Sequence, residues 1–183
     1  THPFTIIVSN DVHSAAIFND STGVGCAAPS ESIDLRADYG WQSYKVEGDH
    51  AWIGDGFELN SVDRNQVIYE WSLKCGEETC SADVAEIAGN GNTATVEIKN
   101  DAANLDKQVI AVLDVKIGEE VVTTAEYFID IVGEYYYISP VYLENSDLEV
   151  GETATVTPEL YKVEYSYDEN DENSGVANHN RVS

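Results

Sequence analysis

The chain has few basic residues and no methionine. Its 183 residues include 9 Lys and Arg against 34 Asp and Glu, which gives a formal net charge of −25. A surface this negative repels phosphate backbones and anionic lipid headgroups, so nucleic acid is not an expected partner. No apolar run reaches the roughly 18 residues of a membrane-spanning helix, and no membrane span is expected. Because no basic and apolar leader precedes Thr1, we expect a processed product or an excised segment of a longer protein.

Catalytic motifs are also missing. The sequence has four histidines, none of which belongs to a His-Glu-x-x-His zinc motif. The Gly-x-Ser-x-Gly turn of hydrolases is absent, and Gly23-Val-Gly25 lacks the third glycine and the following helix of a phosphate-binding loop. The members of a Ser–His–acid triad need only meet in space, so that alternative stays open. Because no catalytic motif is present in the sequence, we expect a protein that is not an enzyme.

The three cysteines favour an oxidising compartment. Cys75 and Cys80 bracket a polar segment in which Gly76 lets the chain turn back, and a local disulfide is predicted between them. Zinc binding is the alternative, but Cys-x4-Cys without a second Cys or His pair is not a zinc signature. Cys26 is left over, either as a buried or free thiol or as an intermolecular bridge. The predicted disulfide indicates an extracellular, cell-surface location.

Alternation of apolar and polar residues predicts an all-β fold. The pattern is clearest over 93–98, 109–115 and 121–131, where β-branched and aromatic residues suit a half-buried pleated surface. Gly-containing and Asn-containing segments at 116–120 and 90–92 are typical of turns between strands. Short strands separated by Gly, Asn and Asp predict an antiparallel β-sandwich. Further strands are predicted at 5–8, 15–18, 32–35, 42–46 and 67–73, and short helical turns at 82–88 and 102–105.

Residues 66–132 resemble bacterial immunoglobulin-like surface repeats. The segment 66–73 looks like the strand that places a tryptophan, here Trp71, in the core of such domains. A Gly/Asn turn, a Thr-Ala-Thr-Val strand and a terminal strand ending at Ile131 follow in the order of those repeats. A second likeness covers 137–140 and 148–158, which is similar to the opening of a further repeat. No cysteine pair brackets Trp71, so the disulfide of antibody domains is absent.

The resemblance implies a division of the chain and a function. It implies an immunoglobulin-like sandwich at 41–133, with 1–40 as strands of a preceding sandwich or as an N-terminal segment. Residues 134–183 would begin a second such domain and end in an acidic tail. The implied function is a non-catalytic structural or adhesive segment of a microbial surface protein, such as a stalk, an adhesin or a filament element. Its implied partners are neighbouring domains or copies of itself.

Acidic turns make calcium a candidate cofactor. Asp49 and Asp55 lie next to glycines, and hard cations bind several oxygen ligands on a bent backbone. The acidic residues of 168–173 supply such oxygens more densely. Neither segment has the Gly and Glu placement of an EF-hand loop, and solvated acidic segments are the alternative explanation.

Aromatic residues suggest a second function, a carbohydrate-binding module. Trp41, Tyr44 and Trp52 are close in sequence, and exposed aromatic rings bind the apolar faces of sugars. Packing of these rings in the core is the alternative. The residues of 135–137 are all tyrosine, and since they alternate across a strand, at most one face of the row is exposed.

The first residues suggest a third function, a self-assembling fibre subunit. Residues 2–9 are apolar and β-prone, and Phe4, Ile6 and Val8 would face one side of a strand. Such a segment can add to an exposed sheet edge of a neighbouring molecule. An ordinary first strand within the chain's own sandwich is the alternative.

Overall fold

The computed structural model describes residues 11–47, 50–53, 66–139, 157–168 and 171–182. This part of the chain is all-β, with a single 3-10 turn at Ala102–Asn104 and no α-helix. No helix in it is long and apolar enough to cross a membrane. The strands are β1 (Asp11–Asn19), β2 (Cys26–Ala27), β3 (Ser32–Glu47), β4 (His50–Ile53), β5 (Val67–Cys75), β6 (Glu78–Thr79), β7 (Ala85–Asn90), β8 (Thr93–Ile98), β9 (Gln108–Ile117), β10 (Glu120–Ile131), β11 (Glu134–Ile138), β12 (Leu160–Asp168) and β13 (Asp171–Arg181).

Two five-stranded sheets face each other. The first has the order β1-β3-β8-β7, with β4 also paired to β3, and the second has the order β2-β10-β9-β5-β6. Neighbouring strands are antiparallel except β2 and β10, which are parallel. The inner faces of both sheets contribute to one apolar cluster, so the arrangement is sandwich-like, and the two sheets are called the sandwich below.

Alternation along the strands explains this core. In β8, Ala94, Val96 and Ile98 are buried while the residues between them are exposed. The opposite sheet contributes Val109, Ile129 and Ile131, which are fully covered. Burial of one such aliphatic side chain contributes about 1.5–3 kcal/mol, so a few rows of them hold the two sheets together. The predicted strands at 93–98, 109–115 and 121–131 lie within β8, β9 and β10. The turn predicted at 90–92 joins β7 to β8, and the one predicted at 116–120 joins β9 to β10.

A third, three-stranded sheet of β11, β12 and β13 packs on the end of the sandwich. Tyr135 and Val163 of this C-terminal sheet are buried against Ala28, which follows β2. A polar contact is also made there, because the hydroxyl of Tyr165 donates to Oδ1 of Asn100 at 2.9 Å. The C-terminal sheet is therefore attached to the sandwich by both apolar and polar side chains.

The strands cross the domain boundary that was predicted from the sequence. β3 runs through the boundary that was predicted at residue 41. Ile33 and Leu35 lie in the same core as β9 and β10, because β3 pairs with β8 through its first residues and with β1 through the rest. The described part of 1–40 therefore belongs to the same sandwich as 67–131, and not to a preceding one.

The C-terminal segment differs from its prediction in a similar way. Asp168 of β12 pairs with Asp171 of β13, so these two of the acidic residues expected in a tail belong to paired strands. The helical turn predicted at 82–88 is present only at its start, where Val84 N and Ala85 N donate to Ser81 O at 2.9 and 3.2 Å. From Ala85 onward the segment is the strand β7, which pairs with β8. The turn predicted at 102–105 is present as a 3-10 turn, where the side chain of Asp101 accepts a hydrogen bond from Ala103 N.

Candidate functional site

Glu31 lies where the C-terminal sheet meets the sandwich, and its side chain is only 10% exposed. Oε2 accepts a hydrogen bond from the N–H of Ala28 at 2.5 Å. The hydroxyl of Tyr135 lies 3.0 and 3.1 Å from the two carboxylate oxygens, and Nε2 of His179 lies 2.8 Å from Oε1. Burial of a carboxylate is costly unless donors surround it, and here the donors come from the sandwich, from β11 and from β13. We call these four residues the joint.

Local structure explains how the joint is positioned. Ser30 has a positive φ of 74°, and the turn that precedes β3 is tied to β8 by two main-chain bonds. Ser30 N donates to Ile98 O at 3.2 Å, and Ile98 N donates to Glu31 O at 2.8 Å. In the C-terminal sheet, Tyr135 and His179 both pair with Val163, so the three residues form one row across the strands and share a face.

The electrostatics of the joint keep its tyrosine protonated. Burial raises the pKa of Tyr135 far above its ordinary value, and the charge of Glu31 and the hydrogen bond donated to it act in the same direction. Burial and Glu31 also raise the pKa of Tyr137, whose hydroxyl lies 3.2 Å from Nδ1 of His179. The N–H of Ala28 and the hydroxyl of Tyr135 are neutral donors to the carboxylate. His179 adds a positive charge only when its imidazole is protonated.

A cleft of about 500 Å³ opens beside the joint. It is lined by two joint residues, Glu31 and His179, by Tyr137 and by four hydroxyl-bearing residues, Ser21, Thr22, Ser30 and Ser32. Both ring nitrogens of His179 are within hydrogen-bonding distance of Glu31 and Tyr137, which leaves neither for a serine hydroxyl. This histidine therefore does not form the Ser–His–acid triad that the sequence left open. The arrangement holds two β units together.

The predicted disulfide is confirmed. Cys75 and Cys80 are joined with an S–S distance of 2.06 Å and Cα atoms 4.6 Å apart, and they close the hairpin of β5 and β6. In the chain-entropy model a loop this short contributes about 2 kcal/mol to stability. Cys26 is a free, partly buried thiol. Burial is the main cause that raises its pKa, and the negative charge of Asp130 raises it further. A raised pKa lowers the thiolate fraction, so Cys26 is a poor nucleophile.

Trp41 stacks on a ring that the sequence-based prediction did not include. Its ring stacks on His13 with centroids 6.1 Å apart, and His13 in turn stacks on Tyr39. Trp41 is partly buried, and its indole N–H has no acceptor among the residues that the structure describes. The backbones of Tyr44 and Trp52 lie in the paired strands β3 and β4, but their side chains fall outside the described part of the chain. The register with β1, which adds His13 to Trp41, was the signal that the sequence reasoning missed.

The remaining predicted site residues lie outside the described residues. These are Asp49 and Asp55 for calcium, and Phe4, Ile6 and Val8 for strand addition. Within the ranges that are described, no group of three or more His, Cys, Asp or Glu is placed to hold a metal ion.

Comparison with known proteins found no related protein. Neither a scan of protein-family models nor searches of curated proteins and of solved structures found a match. The joint and the strand arrangement are therefore the observations that bear on function.

Proposed function

We propose that this chain is a non-catalytic structural and adhesive segment of a microbial surface protein, located outside the cell and built on an immunoglobulin-like sandwich. The observation that carries the proposal is the joint at Glu31. A stalk or filament element must keep its β units in a fixed orientation under load, and a flexible linker alone does not do so. A buried carboxylate contacted by Ala28, Tyr135 and His179 supplies a fixed connection instead.

The strand order supports the immunoglobulin-like part of the proposal. In such domains one sheet has the order ABED and the other contains G, F and C. The order β1-β3-β8-β7 corresponds to A, B, E and D, and β10-β9-β5 corresponds to G, F and C. Trp71 then lies on the C strand, where these domains carry a core tryptophan. It packs against the core cluster of the sandwich, as that correspondence requires.

The pairing of β2 with β10 supports a mechanical role. Asp130 N donates to Gly25 O and Val132 N donates to Ala27 O, each at 2.9 Å. Because the two strands are parallel, tension that enters before β2 and leaves after β10 pulls them in opposite directions along their axes. The hydrogen bonds are then loaded together and not one after another. This geometry resists extension better than a hairpin that opens from one end.

Single-molecule pulling between the two ends of the chain tests the proposal. We expect the wild type to release the C-terminal sheet and the sandwich in one event, because the joint transmits the load. Glu31→Ala leaves Tyr135 without its acceptor, and it is expected to release the C-terminal sheet first and at a lower force. Glu134→Ala is the matched control, since this glutamate lies in the C-terminal sheet and forms an exposed ion pair with Lys162.

Two outcomes would contradict the proposal that the joint holds the two β units together under load. One is a wild type in which the C-terminal sheet already separates at low force. The other is a Glu31→Ala trace that matches those of the wild type and the control. Tyr135→Phe serves as a milder second variant, because it removes the hydroxyl but keeps the buried ring.

A further inference from the structure

β7 ends its sheet and leaves main-chain groups directed at an open edge. Lys99 N donates to Val84 O at 2.9 Å, which makes residues 84 and 99 a hydrogen-bonded pair of the antiparallel ladder. Such pairs alternate with pairs whose N–H and C=O groups point away from each other. In β7, Glu86 and Ala88 therefore bond to β8, whereas Ile87 and Gly89 direct their N–H and C=O groups away from it.

A cleft of about 550 Å³ runs along this edge. Leu73, Ala85 and Ile87 form its apolar part, and Thr79, Cys80 and Ala82 line it beside the hairpin of β5 and β6. Its remaining lining is polar or exposed and comes from β5, β7, β8 and β3, namely Ser72, Glu86, Ala88, Thr95, Glu97 and Ser32. The core is incompletely covered here. Four apolar side chains along this edge pack on the core and yet remain partly exposed, namely Trp71, Cys75, Cys80 and Ile87.

We propose that this edge cleft accepts one further β-strand, and that the strand is residues 2–9 of a second copy of the chain. Main-chain bonds would form with Ile87 and Gly89, and every second side chain of the added strand would enter the cleft between the two sheets. This inference goes beyond the mechanical role, because it supplies a contact between molecules and not within one.

Charge and pattern favour residues 2–9 as the occupant. These residues lie outside the described part of the chain and contain no Asp, Glu, Lys or Arg, although the whole chain has a net charge of −25. A charge-free segment can approach a second acidic molecule with the least repulsion. Phe4, Ile6 and Val8 alternate, so one face of the strand would offer three apolar side chains to the apolar part of the cleft.

Three of the other described sheet edges, β6, β13 and β11, fit this occupant less well. β6 has two residues, and the edge of β13 begins with Asp171 and Glu172. β11 adjoins a row of exposed apolar residues, Ile138, Leu160 and Val182, but that face of the C-terminal sheet has no opposing sheet. A strand added to β11 would leave its apolar side chains in water on that face, whereas the cleft beside β7 would cover them.

The contact joins two different surfaces, so it does not close on itself and the expected product is an open chain of copies. Light scattering on a sizing column, over a range of concentrations, should show wild-type oligomers that grow with concentration. Ala82→Trp places a large ring in the cleft from an exposed position and should weaken association by roughly tenfold or more. Ala16→Trp is the matched control on an exposed position of β1 and should assemble as the wild type does.

A complementation experiment separates the two surfaces. A copy with Phe4, Ile6 and Val8 all changed to Asp keeps its cleft but loses its donor strand, and the Ala82→Trp copy keeps its donor strand but loses its cleft. Each should be monomeric alone, and their mixture should give a one-to-one dimer. A synthetic peptide of residues 2–9 should shift the amide NMR signals of β7 in the triple variant. Thr79→Arg blocks the opposite wall of the cleft and substitutes for Ala82→Trp if that variant does not fold.

The proposal is overturned if the wild type is monomeric at every concentration, whether or not the peptide binds. It is also overturned if Ala82→Trp assembles like Ala16→Trp, or if the peptide shifts signals of β11 and not of β7. None of these outcomes affects the joint at Glu31, which acts within one copy.

Discussion

Trp71 occupies the space that a side chain at position 89 would need. A Cβ atom built on Gly89 would lie 2.6 Å from Cδ1 of Trp71, closer than real Cβ contacts. The indole also donates its N–H to the carbonyl of Gly91 at 3.0 Å. One side chain of β5 therefore fixes the hairpin of β7 and β8 in the opposite sheet, by a ring contact and by a hydrogen bond.

Gly89→Ala is expected to lower the free energy of unfolding by about 1–3 kcal/mol, because the indole or the backbone of β7 must move. Gly133→Ala is the matched control, since its Cβ would meet only Leu105 at an ordinary 3.8 Å. Urea unfolding of both variants measures the difference. A second change, Trp71→Leu, should reduce the cost of Gly89→Ala in a double-mutant cycle. Equal stability of the two alanine variants would contradict this account.

At the scale of strands, the sequence predicted what alternation can show. β8, β9 and β10 were found because their apolar residues recur at every second position. Two separate strands are predicted at 32–35 and 42–46, where the structure has the single strand β3. The charged residues Arg36 and Asp38 interrupt the apolar pattern between them. The alternate positions Ala37 and Tyr39 continue the inward face through that break, and pairing with β1 keeps the strand extended.

The joint could not be predicted in the same way. Glu31 and Tyr135 are 104 residues apart, and His179 reaches Glu31 from a third segment. Nothing local distinguishes Glu31 among 34 acidic residues, because its burial results from the packing of the C-terminal sheet on the sandwich. Alternation did predict that one face at most of Tyr135–Tyr137 is exposed, and Tyr135 is buried whereas Tyr136 is half exposed.

Alkaline pH should open the joint. The pKa of Tyr135 is raised in the folded state, first by burial and then by Glu31, whereas an unfolded tyrosine titrates near about 10. The unfolded state therefore loses its proton first, and the stability that Tyr135 contributes is fully present below about pH 10 and falls as pH rises above it. We expect the C-terminal sheet to separate from the sandwich in that range, with tyrosinate absorbance rising in the same step.

Tyr135→Phe separates this effect from general alkaline denaturation. The variant loses one hydrogen bond, so its stability at neutral pH should fall by about 0.5–1.5 kcal/mol, and the alkaline step should become smaller. Tyr136→Phe is the control, because Tyr136 lies on the exposed face of the same strand. If Tyr135→Phe keeps the alkaline step of the wild type, the step has another origin.

At the scale of the whole molecule, acidic residues far outnumber their partners. Six of the Lys and Arg side chains in the described part of the chain contact carboxylates, as Lys116 does with Glu70 at 2.5 Å. These pairs lie at or near the surface, where each contributes at most about 1 kcal/mol. With a net charge of −25, the repulsion among the remaining carboxylates opposes the compact state.

Salt should therefore stabilise this protein. An increase from about 10 mM to about 150 mM NaCl shortens the screening length from about 30 to about 8 Å and should raise the melting temperature. CaCl₂ at matched ionic strength then tests the predicted calcium ligands, Asp49 and Asp55. A further rise in melting temperature with calcium, which Asp49→Asn and Asp55→Asn remove, would support that prediction. Equal melting temperatures in the two salts would mean that calcium acts only by screening charge. A lower melting temperature in NaCl would mean that the ion pairs outweigh the repulsion.

The half-covered position of Trp71 also gives the edge cleft a built-in optical signal. Indole emission moves to shorter wavelength when water leaves the ring. Trp71 is among the partly covered side chains of that edge, so a strand seated beside β7 would shift its emission to shorter wavelength. In a chain whose other two tryptophans are phenylalanine, the protein's own fluorescence would then follow each molecule as it joins the next, without an attached dye.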